Sequence, residues 1–246
     1  MTGMIFDIQE MTLHDGPGAR ITFFMKGCPL RCVWCHNPEG QNSFPEKMFK
    51  KSRCIECGFC ENKKYPERCT AGALTWCGKE MSVNEVVDYV LKLKDTLELM
   101  EGGVTFSGGE PCAQGEFLIE CLKELKNHGI HTAIETCGYC DEDRFQQVID
   151  LCDVIILDIK LMDEKKHIQM TGVSNQLILK NAQILKNSGK KHIFRTPLIE
   201  GITDTKDNLL QIQSFVQDSA WEKIPSNPMA SLKYEQLNRN YTLKDH

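Results

Sequence analysis

Three cysteines, Cys28, Cys32 and Cys35, stand in one short loop, Lys26-Gly27-Cys28-Pro29-Leu30-Arg31-Cys32-Val33-Trp34-Cys35-His36-Asn37-Pro38-Glu39. No other stretch narrows so far what the chain can be built around. Thiolates separated by three and then two residues can close on one iron–sulfur cube while the rest of the fold stays in place. A [4Fe–4S] cube has four irons, so three local ligands leave one iron to take something else. Cysteine also packs as a small apolar residue, so scattered thiols would mean little. These three are compressed between glycine and prolines, and a second cysteine cluster follows.

The surrounding residues carry a family likeness. Ile5-Phe6-Asp7-Ile8-Gln9, then Asp15-Gly16-Pro17-Gly18, then the loop ending Trp34-Cys35-His36-Asn37-Pro38-Glu39 resemble the activating enzymes of glycyl radical enzymes, in the radical S-adenosylmethionine (SAM) superfamily, and in particular those like the pyruvate formate-lyase activating enzyme with a ferredoxin-like insert. The resemblance implies that the amino and carboxylate groups of SAM chelate the free iron. It implies that an electron from the cluster cleaves the sulfonium C–S bond, and that the 5′-deoxyadenosyl radical removes hydrogen from one glycine Cα of a partner enzyme. That is oxidoreductase chemistry done by cluster-bound SAM, with no catalytic side chain of its own. The spacing by itself implies only a cluster with an open site.

Composition sets the outer bounds. At 246 residues the chain has room for one sizeable domain, alone or with a small appendage. With 41% hydrophobic and 26% charged residues it reads as an ordinary globular protein, and a net charge of −5 argues against a nucleic-acid partner. Lys63-Lys64 and Lys165-Lys166-His167 are solvated faces. The first ten residues hold no Lys or Arg and are interrupted by Asp7, so no signal peptide is expected. Apolar runs such as Val154 to Leu157 are far too short to span a bilayer, so no membrane partner is expected and the expected compartment is the cytoplasm. The expected state is a monomer. Thirteen cysteines in such a chain point to metal ligation rather than a disulfide scaffold, which a reducing cytosol would not maintain. Air-sensitive clusters in turn suggest an anaerobic setting.

Along the chain, short β-rich runs alternate with amphipathic helices. Strands are expected at Met4 to Gln9, Arg20 to Met25, Gly103 to Phe106, Ile130 to Glu135, Val154 to Lys160, Lys191 to Pro197 and Trp221 to Pro225. Ser82-Val83-Asn84-Glu85 opens a helix with a capping box, and apolar residues follow at helical spacing as far as Leu97. Further helices are expected at Gln114 to His128, Glu142 to Leu151, Asn175 to Asn187 and Thr205 to Asp218. Asp15-Gly16-Pro17-Gly18 is a turn, because Pro fixes φ and Gly supplies positive φ. Such alternation builds a parallel α/β sheet from right-handed βαβ units. Six units fit, and the resemblance implies an open, partial (β/α)6 barrel with the cluster near its C-terminal mouth. That barrel would comprise residues 1–51 and 79–246, with a small ferredoxin-like insertion at 52–78.

In the insertion Cys54, Cys57 and Cys60 are each separated by two residues, which begins a bacterial ferredoxin motif. The fourth cysteine of that motif would come three residues later, before Pro. Here eight residues precede Cys69, and Thr70 follows it. Ala71-Gly72-Ala73-Leu74 continues in ferredoxin fashion, so Cys69 is the expected fourth ligand of a second [4Fe–4S] cluster, with Cys77 in reserve. Four such cysteines could also form a zinc knuckle.

Other site residues fall at strand ends. In radical SAM proteins a segment such as Gly108-Gly109-Glu110-Pro111 binds the SAM amino group, and paired glycines let a ligand reach the backbone. Glu135-Thr136 and Asp158-Ile159-Lys160 end neighbouring strands. Two acids facing one mouth repel unless a cation sits between them, and the resemblance implies a monovalent cation there beside the SAM carboxylate. Strand alternation aims Asp158 and Lys160 the same way. Arg195 matches an Arg kept near SAM on a late strand. Asn227 stands where the family has a SAM-contacting His, and Asn cannot carry charge. After the third cysteine, Asn37 is the expected SAM contact and His36 the more structural residue, with Trp34 and Cys35 also expected among the cofactor-binding residues. Cys112, Cys121 and Cys152 read as buried thiols, and Cys137 with Cys140 as casual packing.

The leading function is therefore activation of a partner glycyl radical enzyme, with flavodoxin or ferredoxin as electron donor. A radical SAM enzyme acting on a small molecule is the alternative within the superfamily. A ferredoxin-type electron carrier or iron–sulfur sensor is the alternative outside it, and an inactive, partner-binding relative is a third. Reduction with dithionite in the presence of SAM separates these: 5′-deoxyadenosine forms with the intact chain and not with Cys32→Ala, whereas a carrier forms none in either.

Overall fold

The computed structural model describes residues 1–226 and 229–245. One sheet organises them. Its strands are β1 (Thr2–Thr12), β2 (Arg20–Met25), β5 (Lys79–Ser82), β6 (Gly103–Gly108), β7 (Thr132–Thr136), β8 (Val154–Asp158), β9 (His192–Leu198) and β10 (Ala220–Pro225). They lie in the order β10-β9-β8-β7-β6-β2-β1-β5. The six neighbours from β10 to β2 run parallel, and β1 and β5 extend the far edge antiparallel. The fold is thus α/β with a mostly parallel sheet, and its linear order leaves β10 and β5 as separate edges. A second, two-stranded sheet pairs β3 (Glu46–Phe49) with β4 (Leu74–Cys77).

Alternation divides the large sheet into two chemically different faces. Ile21, Phe23, Met25, Val104, Phe106, Ile134, Ile155, Leu157 and Phe194 bury against helices in one continuous core. The helices facing them are α1 (Val83–Leu91), α3 (Gly115–Asn127), α4 (Glu142–Leu151), α6 (Gln176–Asn187) and α7 (Lys206–Val216), through Val86, Leu118, Val148, Ala182 and Ile212 among others. The opposite face carries Arg20, Thr22, Thr105, Ser107, Glu135, Asp158 and Arg195. Polar residues on that face of a buried sheet need partners, and the β1–β2 connection supplies several. Asp15 accepts from the Thr22 hydroxyl at 2.7 Å, its carbonyl accepts from Thr105 at 2.7 Å, and Arg20 donates to the Pro17 carbonyl at 3.0 Å.

Most expected elements are present, α4 with the expected bounds. The long helix expected through Leu97 is instead two, α1 and α2 (Lys94–Leu99), because the chain turns at Leu93 and Leu97 reaches the core from the second. α5 (Glu164–Thr171), α8 (Ala230–Gln236), β5 and the β3–β4 pair had no expectation attached to them. Among the described residues no helix is long and apolar enough to cross a membrane.

The capping box at α1 is fully formed. Ser82 Oγ accepts from the Glu85 N–H at 3.2 Å, and Glu85 accepts from the Ser82 N–H at 2.7 Å. Ser82→Ala is expected to lower unfolding free energy by about 1 kcal/mol, read from the urea midpoint at unchanged slope.

Candidate functional site

The cysteine loop leaves β2 and crosses the C-terminal ends of the parallel strands. Its two ends are closed by backbone: the Gly27 N–H donates to the Gly40 carbonyl at 2.7 Å. Lys26, fully buried, donates to the Glu39 carbonyl at 2.5 Å and pairs with Glu46 at 3.3 Å, which ties the loop to β3. Gly108 and Gly109 fit beneath it. Gly108 has φ +112°, and a Cβ on Gly109 would run into the carbonyls of Gly27 and Gly40. The Gly109 N–H donates to Met25 O and the Glu110 N–H to Gly27 O, both at 2.8 Å. These glycines therefore let two backbone segments of the chain approach each other, besides exposing backbone to a ligand.

A cavity of about 380 Å³ opens above the strand ends, within the range usual for small-molecule and cofactor sites. Cys28, Cys32, Cys35, Trp34, His36 and Asn37 form one wall, and Gly108, Gly109, Glu135, Thr136, Asp158, Lys160 and Arg195 line the rest. The structure thus brings every described residue expected at the site to one cavity, except Glu110. Asn227 lies outside the described residues, while its neighbours Pro225 and Ser226 line the cavity. What the thiols share is a cavity wall: among the described residues, no three His, Cys, Asp or Glu side chains close on a single metal ion.

Glu110 is fully buried and turned away. Its carboxylate accepts from the Cys112 N–H at 3.0 Å, the Thr136 hydroxyl at 2.7 Å and the Cys137 N–H at 2.7 Å. It pins the end of β6 to the end of β7. Three donors replace the water shell that this buried carboxylate gives up.

Charged groups on the cavity wall are paired within the chain. Asp158 meets Lys160 at 2.5 Å, as alternation implies, but Lys160 is only 9% exposed, so this is no loose surface bridge. Burial works against the Lys160 ammonium, yet the paired Asp158 holds it above the usual range. Glu135 pairs with Arg195 and accepts from the Ser107 hydroxyl at 2.6 Å. Burial pushes the Glu135 carboxyl up to about 7, even though Arg195 pulls it down. Arg195 also donates to Glu222 at 2.8 Å and to the His14 carbonyl at 2.6 Å. Each of the two acids at these strand ends, Glu135 and Asp158, thus has a cationic side chain within reach.

Burial raises the thiols of Cys28, Cys32 (to about 12) and Cys35. Three neutral thiols in a ligand-sized cavity fit a cluster whose iron supplies the positive charge that thiolates need.

Several lining residues were not anticipated. Cys137, expected to be casual packing, stands in the same wall, as do Ser107, Ile199 and Tyr241. Position was the available signal for Cys137, since it directly follows the Glu135-Thr136 strand end. Lys233 of α8 donates to Asn37 at 2.7 Å and pairs with Glu39 at 2.7 Å, and Arg239 donates to the Pro38 carbonyl at 2.7 Å. No local pattern reveals these contacts from about 200 residues away.

In the cysteine-rich stretch, Cys54, Cys57, Cys60 and Cys69 line a separate cavity of about 260 Å³ with Phe49 and Leu74. Cys69 Sγ accepts from the Leu74 N–H at 3.3 Å. Cys77 is not in that wall; it is buried beside Lys26, and burial raises its thiol to about 11.

Residues 22–211 match the family described as the radical SAM superfamily. The chain is 35% identical to the trans-4-hydroxy-L-proline dehydratase activating enzyme of Clostridioides difficile, over 98% of its own length and 90% of that protein. It is 36% identical to the 4-hydroxyphenylacetate decarboxylase activating enzyme of Clostridioides difficile strain 630, over 100% and 88%. Among solved structures it is similar to Streptococcus suis SuiB bound to the precursor peptide SuiA, with a TM-score of 0.61 at 14% identity, over 94% of this chain and 44% of that one. That last likeness concerns the fold alone.

Glu110→Gln would turn an amide N–H₂ toward a backbone or hydroxyl donor. It is expected to cost about 2 kcal/mol of stability in the apo protein, read by urea unfolding.

Proposed function

From the premise that this chain belongs to the radical SAM superfamily, and within it to the activating enzymes of glycyl radical enzymes, we propose which of its residues carry that activity. The family brings a [4Fe–4S] cluster and SAM. When bound, they supply reductive cleavage of SAM to a 5′-deoxyadenosyl radical, which takes hydrogen from a glycine Cα of the partner enzyme.

Cys28, Cys32 and Cys35 would hold three irons of that cluster. The observation that carries this reading is the single cavity of about 380 Å³ shared by those thiols and the polar ends of β6 to β9. Backbone at Gly108 and Gly109 would receive the SAM amino group. Trp34, His36 and Asn37 would wall its other side, with Asn37 held in place by Lys233. Thr136, Asp158, Lys160 and Arg195 would orient the remaining polar groups, and Asn227 stands at the position of the family's SAM-contacting His. Glu110 acts indirectly, by fixing the β6 and β7 ends.

Residues 52–78 would form a ferredoxin-like insert holding a second [4Fe–4S] cluster, while 1–51 and 79–246 form the partial barrel. The shared cavity of Cys54, Cys57, Cys60 and Cys69 supports Cys69 as fourth ligand over Cys77. This cluster would pass electrons inward from flavodoxin or ferredoxin, in a monomeric, cytoplasmic protein working anaerobically. The partner would be a glycyl radical enzyme, and the two relatives named above suggest a hydroxyproline dehydratase and a hydroxyphenylacetate decarboxylase as first candidates.

Anaerobic incubation of reconstituted protein, SAM and reductant with each candidate partner is expected to give a glycyl radical EPR signal with one of them. A chain that cleaves SAM yet labels no glycyl radical enzyme would be acting on something else. Iron content separates the ligand assignments: Cys69→Ala is expected to lose about half of the iron and Cys77→Ala none.

A further inference from the structure

Charge is distributed unevenly along this chain. Residues 47–68 carry Lys47, Lys50, Lys51, Arg53, Lys63, Lys64 and Arg68 against only Glu56, Glu61 and Glu67. Seven cations against three acids leave that stretch at +4, so in a chain of net charge −5 the other residues together stand at −9. Such segregation draws an acidic partner to one face and repels it from the rest of the molecule.

The cations surround the cavity walled by Cys54, Cys57, Cys60 and Cys69. Lys47, Lys51, Arg53, Lys63, Lys64 and Arg68 are all exposed. Arg68 is paired with Glu61, whereas among the described residues the others enter no ion pair and keep their charge available. Lys63 stands 3.8 Å above the ring of Phe49, which lines the cavity, and Lys47 donates to the Lys64 carbonyl at 2.9 Å. Between these charges lie two large apolar side chains, Ile55 and Phe59, 69% and 64% exposed. An apolar centre inside a charged rim is the anatomy of an interface, and electron-transfer encounters are of the small kind, below about 1,200 Å².

We propose that residues 47–68 form the docking face for an acidic one-electron carrier protein, with Ile55 and Phe59 at its centre and the exposed lysines and Arg53 at its rim. The inference rests on the insert cluster proposed above and names where the electron enters. Cys57 is exposed, so one expected ligand of that cluster lies on this face. With flavodoxin as the carrier, its flavin passes from anionic hydroquinone to neutral semiquinone. The single electron lost takes the insert cluster from the 2+ to the 1+ state, and no proton moves.

The test uses the reconstituted protein and flavodoxin hydroquinone, with formation of the flavin semiquinone followed anaerobically by stopped-flow absorbance. The expected second-order rate constant is about tenfold lower in about 500 mM than in about 50 mM sodium chloride. Lys51→Glu with Arg53→Glu is expected to lower it about tenfold at low salt and to flatten its salt dependence, with dithionite-driven SAM cleavage unchanged. Reversals at the exposed Lys123 of α3 and Lys206 of α7 are expected to change it by less than about twofold. Equal slowing by the two pairs, or a rate indifferent to salt, would overturn the inference and leave the cluster assignment standing. An insert that holds no iron would overturn both.

Carbodiimide cross-linking of the unaltered protein to flavodoxin needs no variant, so a misfolded reversal does not blunt the test. Links are expected at Lys47, Lys51, Lys63 and Lys64; links confined to lysines outside residues 47–68 would refute the docking face.

Discussion

A cavity walled by four thiols, two carboxylates and two cationic side chains is stable only if its charges cancel nearly within it, because low-dielectric surroundings make any excess expensive. This requirement orders the rest of the site. Glu135 with Arg195 and Asp158 with Lys160 cancel pairwise on the sheet side. The thiols of Cys28, Cys32 and Cys35, raised by burial, rest neutral until a positive partner is present. Glu110 is satisfied by a separate route, three hydrogen bonds from the chain itself. The result is a wall whose remaining electrostatic demand lies at the thiols, where iron would be bound.

The same sheet face serves two purposes at two heights. Lower rungs, Arg20, Thr22 and Thr105, are satisfied by the β1–β2 connection through Asp15 and Pro17. Upper rungs, Ser107, Glu135, Asp158 and Arg195, face the cavity. The Arg195 bond to the His14 carbonyl joins the two levels. Rigid strands thus set the spacing of the site, and a loop held by polar side chains covers that face beneath it.

Much of this was legible in local sequence, because period-2 and period-3.6 patterns report directly on which face is buried. β2 and α4 have their expected bounds for that reason, as does the capping box at Ser82 and Glu85. The cysteine loop was legible because its ligands are close in sequence. What escaped were short elements and long-range partnerships. β3, β4 and β5 have four residues each, too few to establish a period. α5 and α8 bury only His167 with Thr171 and Ala230 with Tyr234, so neither shows an apolar stripe. Glu110 resembles a cofactor contact in sequence, but its three donors come from turns that only the fold brings together. Arg195 looked like a lone cation, since Glu135 lies 60 residues away and His14 181.

The C-terminal segment shows what a long-range partnership adds. Lys233 and Arg239 bond the stretch from Asn37 to Gln41, immediately after the third cluster cysteine. Arg239 also reaches Glu46, which meets Lys26 on its other side. The cysteine loop is therefore gripped at both ends, by Lys26 before Cys28 and by α8 with Arg239 after Cys35. A loop with glycine and prolines at its bends has little rigidity of its own, and an iron cube tolerates little error in thiolate position. Charged contacts from remote strands and helices supply the stiffness that the loop lacks. A ligand set compact in sequence thus still depends on the whole chain for its geometry.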